Sequence, residues 1–194
     1  MNAVTETLSD WRDSIVDFLP AGGIARPLGV VLGVYVLVTV ILGVYWSMSP
    51  SEFDVQERAA AYAVEDGGSV VTGSVTTGAL MGVVETLLEK PGGFIHNDIF
   101  PPGLWLDNMP NWEYGVIVQV RDLARSMREV HSRSQSQSLE DPDLALAEPR
   151  FNFNTESWMF PASESEYRDG LNYTRNYFRR LSDVQESNAQ FYAR

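Results

Sequence analysis

The sequence predicts a mainly α-helical protein with one N-terminal transmembrane helix and a helical extramembrane domain. Three observations carry that prediction. Residues 27–46, PLGVVLGVYVLVTVILGVYW, hold no charged side chain. Several later stretches place apolar residues three or four apart, the spacing that lines one helix face. Between two of them lies a long connector rich in Pro, Gly and Trp, residues 91–115.

The first element is a leader over residues 1–26. Val4, Leu8, Trp11, Ile15 and Phe18 recur at helical spacing, so the leader reads as an amphipathic helix. Its polar face carries Glu6, Asp10, Asp13 and Asp17, which rules out attraction to anionic lipid as its mode of binding. Burial at a membrane interface and contact with a partner helix both account for it.

Residues 27–47 form the expected transmembrane helix. At 1.5 Å per residue the apolar run covers roughly 30 Å, the thickness of a bilayer's hydrocarbon core. Tyr45 and Trp46 close it with rings that favour the headgroup level. A cleaved signal peptide fits less well, because the leader is long and acidic and Pro50 follows the small residues Ser47 and Ser49. Arg12 and Arg26 precede the run, whereas the next basic residue, Arg58, comes after Glu52, Asp54 and Glu57. The positive-inside bias therefore leaves the N-terminus in the cytoplasm and the larger part outside. Gly29, Gly33, Val36, Val40, Gly43 and Ser47 fall on one stripe of this helix, and small residues there let another helix approach closely. A membrane-protein partner or self-association through this stripe is expected, with the bilayer itself as the other partner.

Residues 48–68 read as a juxtamembrane helix, stopped by Gly67-Gly68. Residues 69–194 make up the extramembrane helical domain. In it, Leu80, Val83, Val84, Leu87 and Leu88 mark a helix closed by Pro91-Gly92-Gly93. Glu85 is the only charge in residues 70–88, so a second span comes into view; the Gly and Thr content and that central acid count against it. Val116, Val120, Leu123, Met127 and Val130 mark the next helix. Residues 131–150 are Ser/Gln-rich and then acidic, and read as a solvated loop or helix end. Ser163 with Glu166 fits a capping box ahead of Tyr167, Leu171, Thr174, Phe178 and Leu181. Ser187 or Asn188 then caps a further helix that the chain enters as it stops, so the domain is expected to be incomplete at its C-terminus.

Composition narrows the function. A formal charge of -12, from 26 acidic against 14 basic residues, repels phosphate backbones and argues against nucleic-acid binding. Cysteine is absent, which removes thiolate chemistry and disulfides. No metalloprotease, serine-hydrolase or phosphate-loop motif occurs, and no cofactor or metal is expected. The connector holds the remaining candidates. His96, Asp98 and Asp107 supply acid/base groups, and His96 with Asp98 share a side if the backbone is extended. Against that, Pro101-Pro102 and Pro110 stiffen the chain, and Phe94, Phe100, Trp105 and Trp112 are expected to anchor it on the helices. Phe100, Trp105 and Trp112 are also the candidate binding residues.

The stretches KPGGF, NDIFPPGLWLDNMPNWEYGVIVQVRDLARSMR, SRSQSQSLEDPDLALAEPRFNFNTESWMFPASESEYRDG and NAQFYAR resemble a proteobacterial family of uncharacterised inner-membrane proteins, classed as a domain of unknown function. The resemblance implies a bacterial inner membrane and a periplasmic helical domain, and it supplies no activity. The expectation is a membrane-anchored envelope scaffold or accessory subunit. A tethered envelope hydrolase or a small-ligand-binding protein using residues 91–115 is the alternative.

Overall fold

The computed structural model describes residues 23–133, 139–185 and 188–193. The leader's apolar positions, most of the SRSQSQS run and Ser187 lie outside the described residues. The chain divides into two units, Met1–Val44 and Tyr45–Arg194. The described elements are helical and include no strand.

Helix α1 runs from Ala25 to Trp46. Its aliphatic side chains, among them Leu28, Val34, Leu37, Ile41 and Val44, face outward unburied. Polar backbone groups are satisfied within the helix and the surface is hydrocarbon, the combination a lipid environment demands. Thr39 is buried and turns its hydroxyl onto the Tyr35 carbonyl at 2.8 Å, so its polarity is absorbed by the helix itself. Space beside Gly33 is open, since an added Cβ there would meet nothing within 4 Å. The stripe is one residue shorter than expected: α1 ends at Trp46, and Ser47 lies in the turn beyond it.

In the second unit, the juxtamembrane helix is narrower than 48–68. Pro50 has no N–H and biases Ser49 away from helix, so residues 47–54 stay irregular. Helix α2, Val55–Glu65, starts where the Asp54 carboxylate accepts the Glu57 N–H at 2.8 Å. Helix α3, Ser74–Glu89, is the central element, burying Leu80, Met81, Val84, Leu87 and Leu88. Gly78 lets it cross α2 closely, because a Cβ at that position would come within 2.8 Å of Ala59. Low charge in residues 70–88 thus belongs to a protein core. Glu85 is met from both sides: Arg58 of α2 donates at 3.1 Å, Arg175 at 2.7 Å, and the Tyr62 hydroxyl also donates.

Helix α4, Asn108–Ser126, begins inside what reads as connector. Pro110 sits in its first turn, where the missing N–H would have had no helical partner. The connector therefore ends at Asp107. A π-helical turn, Met127–His131, extends α4. Helix α5, Pro142–Phe151, was not foreseen in the Ser/Gln-rich and acidic segment. Asp141 caps it, accepting from the Asp143 and Leu144 N–H groups, and Pro142 is preset for the first turn. Arg121 accounts for its far end by donating to the Phe151 and Phe153 carbonyls, both at 2.8 Å.

Helix α6, Ser163–Ser182, brings Arg175 to Glu85, and Arg180 to Asp141 at 2.7 Å. Its N-cap is Ala162, which corrects the expected capping box. Ser163 instead donates to the Asn154 and Ser157 carbonyls at 2.7 and 3.0 Å, bracing the preceding loop. Phe151, Tyr167, Tyr177 and Phe178 fill the core with Leu80 and Ile117. Residues 188–193 form no helix, contrary to expectation. They lie back on the unit: Tyr177 donates to the Gln190 carbonyl at 2.8 Å and the Tyr192 N–H to the His131 carbonyl at 2.7 Å. Phe191 stacks on His131, ring centres 4.8 Å apart.

Candidate functional site

The connector is organised around a buried ion pair that sequence reading missed. Lys90, at the end of α3, and Glu113, in the second turn of α4, place Nζ and Oε1 2.5 Å apart. Neither side chain has exposed surface. Lys90 also donates to the Gly93 carbonyl, and the Glu113 carboxylate accepts the Ile95 N–H at 3.0 Å and the His96 N–H at 2.7 Å. Burial outweighs the opposing pull of Lys90 and the two N–H groups and holds the Glu113 carboxyl above its ordinary range. The chain between the two residues reverses through Gly92 and Gly93, with φ of 87° and 68°, values that favour glycine. A Cβ on Gly92 would also lie 2.8 Å from the Trp46 ring.

The three acid/base candidates are held apart in role. His96 has Nδ1 2.9 Å from the Pro110 carbonyl; a carbonyl only accepts, so that nitrogen carries the proton in this contact. The ring stacks on Tyr114 at 5.7 Å. Asp98 packs on Gly103, and an added Cβ there would sit 2.5 Å from the Asp98 Cβ. Burial, reinforced by Glu164, raises its carboxyl above the ordinary range, with Lys90 opposing. Between them Asn97 is buried, donating to the Ser157 carbonyl at 2.7 Å and to Glu164 at 3.0 Å. Asp107 is exposed at the start of α4, and only its carbonyl is engaged, by Asn111. No group of three or more His, Asp, Glu or Cys suited to a metal ion occurs among the described residues.

The aromatic candidates correct the expected anchoring. Phe94 is buried, edge-on to Tyr167, and does anchor the connector. Phe100 and Trp105 instead stand 64% and 59% exposed. Beside them are Ile99 and Leu104, and a second loop adds Trp158, Met159 and Phe160, all exposed. The two loops meet where Phe100 and Trp158 pack edge to face at 6.1 Å, above the Asn97–Ser157 hydrogen bond. Phe160 is 94% exposed and holds a φ of 53°, rare for an aromatic residue, so the backbone is set to present it outward. Neither 99–105 nor 157–161 carries a charge. The signal available in sequence was WMF ahead of Pro161, uncharged and outside any helical repeat.

Trp112 belongs elsewhere. With Phe53, Val83, Met109 and Val116 it lines a groove of about 700 Å³ between residues 47–53, α3 and α4.

Fold and site together define a unit whose described residues are helical and which follows an apolar helix in the sequence, with the buried Glu113 carboxylate engaged in hydrogen bonds and aromatic loops turned outward. The chain belongs to a family of uncharacterized proteins conserved in bacteria, DUF2333, whose model matches residues 20–194. Among the described residues Arg26–Trp46 is the one helix long and apolar enough to cross a membrane, and a helix of this kind near an N-terminus is either a span or a signal sequence. Neither the curated proteins nor the solved structures hold a match to the chain.

Proposed function

We propose that the protein is a membrane-anchored scaffold or accessory subunit of the bacterial cell envelope. In this reading α1 is an uncleaved inner-membrane span, and the helical unit lies in the periplasm and docks a partner protein. The observation that carries the reading is the contrast in the connector. His96 and Glu113 are engaged in internal hydrogen bonds and Asp98 is packed on Gly103, while Phe100 and Trp105 join Trp158 and Phe160 in an uncharged, exposed surface. Exposed apolar patches of this kind mark interaction sites. The orientation follows the Arg12 and Arg26 bias, and the open face at Gly33 suits a partner helix in the membrane.

The hydrolase alternative needs His96, Asp98 and Asp107 to converge, and the geometry supports it less. His96 is tied to Pro110, Asp98 is packed on Gly103, and Asp107 stands exposed at the far end of the connector. The test is crosslinking and affinity purification from native membranes. A discrete partner should co-purify with the full chain and be lost from Phe100→Ser/Trp105→Ser. Gly29→Ile/Gly33→Ile should weaken association inside the membrane. An unchanged partner set in the first variant refutes the docking surface.

A further inference from the structure

The groove beside Trp112 is separate from the aromatic surface, and its composition suits a different occupant. Its walls are Phe53, Val83, Met109, Trp112 and Val116, with Ser47, Ser51, Thr86 and Asn108 around them. At about 700 Å³ it has the size and the apolar lining of a small-molecule site. The apolar strip continues along α4, where Val83, Trp112 and Val116 also line a second hollow reaching Gly115 and Gln119. From Asn108 to Gln119 the helix rises roughly 16 Å at 1.5 Å per residue. That matches one leaflet of a hydrocarbon core, about 15 Å of its roughly 30 Å.

Position and charge complete the argument. Ser47, in the groove wall, directly follows the last residue of α1, and Trp46 packs on Gly92 of the same unit. Hydrocarbon is therefore the apolar material nearest along the chain. Among the described residues, Glu52 is the only charged one lining the groove. In the polar hollow next to it, which shares Pro50, Ser51 and Thr86, Arg58 is held by Glu85 and Lys90 by Glu113. An anionic headgroup would find an acid at the mouth and no cation lining the groove, whereas an ammonium would find Glu52.

We propose that this groove holds one alkyl chain of a membrane lipid with a zwitterionic, amine-bearing headgroup, placed with its ammonium toward Glu52. The chain lies along α4, against Trp112 and Val116. This rests on α1 being a membrane span, and the experiment separates the two claims.

The full chain is reconstituted in bilayers of phosphatidylethanolamine brominated on its acyl chains, or of phosphatidylglycerol brominated in the same way. Trp112→Phe isolates the Trp112 share of the emission. Carbonate washing first reports whether the chain stays in the bilayer. The expected result is retention, with the Trp112 emission quenched by about half in the ethanolamine lipid and much less in the glycerol lipid. Gly115→Phe projects a ring into space where a Cβ meets nothing within 4 Å, so it should fill the strip and abolish the difference without lowering the melting temperature. Glu52→Lys should reverse the headgroup preference. Release by carbonate overturns the membrane reading and the proposal with it. Retention with unquenched Trp112, or with equal quenching in Gly115→Phe, overturns the groove alone. Stronger quenching by the glycerol lipid overturns the headgroup assignment.

Discussion

Replacing Glu113 with glutamine removes a negative charge from a pair whose side chains are wholly enclosed. Breaking a buried pair by removing one partner costs about 3–5 kcal/mol, because the remaining charge is left without compensation. Glutamine keeps the volume and one acceptor oxygen, so the lower end, about 3 kcal/mol, applies. That oxygen can still accept from either the Ile95 or the His96 N–H, but no longer from both with full charge. For a chain of this length 1 kcal/mol moves the midpoint by about 2–4 °C, so the expected drop is about 6–12 °C. The assay is thermal unfolding of the full chain in detergent at neutral pH, followed by circular dichroism. Lys90→Met/Glu113→Leu should recover part of the loss, since a hydrophobic pair of similar volume replaces a buried ion pair well. It should not recover all of it, because the Ile95 and His96 N–H groups keep no acceptor. An unchanged midpoint in Glu113→Gln would refute the reasoning and show that burial holds Glu113 as the neutral acid.

Three further outcomes follow from the same region. Asp98 has its carboxyl raised by burial and Glu164, so its charged form is penalised in the fold at neutral pH. Asp98→Asn should therefore raise the midpoint at neutral pH. The gain should shrink as pH falls through the raised value and vanish below the ordinary carboxylate range; a constant gain would contradict the assignment. Gly103→Ala drives a methyl into Asp98 and should cost about 2 kcal/mol in denaturant unfolding. Phe100→Ser/Trp105→Ser should leave stability within about 0.5 kcal/mol, as expected for exposed positions, while reducing self-association or partner binding.

The helical class and helices α3, α4 and α6 were legible because their apolar residues repeat at helical spacing, whereas α1 was legible from its uncharged run and α2 from the Gly67-Gly68 stop. Leu80, Leu87, Val120, Tyr167, Phe178 and Leu181 are all buried as that spacing requires. Helix α5 escaped notice because it is short, opens and nearly closes on proline, and depends on Arg121, Arg128 and Arg180 from other elements. The start of α4 was hidden by Pro110, which looks like a breaker until it is placed in a first turn. Lys90 and Glu113 were invisible for a related reason. A lone Lys at a helix end and a lone Glu near a Trp read as solvated, and only the fold reveals that they face each other. Phe100 and Trp105 were identified as binding residues but assigned to anchoring, since exposure cannot be read from residue type. Their companions Trp158 and Phe160 lie more than fifty positions away, so no local pattern joins the two loops.

The end of the described chain behaves as a latch. Phe191 occupies the place beside Gly73 where any Cβ would collide with it, while Tyr192 holds the π-helical turn at His131 and Gln190 receives Tyr177. Three distant points of the fold, the start of α3, the end of α4 and the last turns of α6, are thus secured by three consecutive residues, Gln190, Phe191 and Tyr192. Loosening these three residues should release the points together. Replacing Gln190, Phe191 and Tyr192 by glycine in succession would then register as a step in unfolding cooperativity, and tension applied along this segment would reach the core directly.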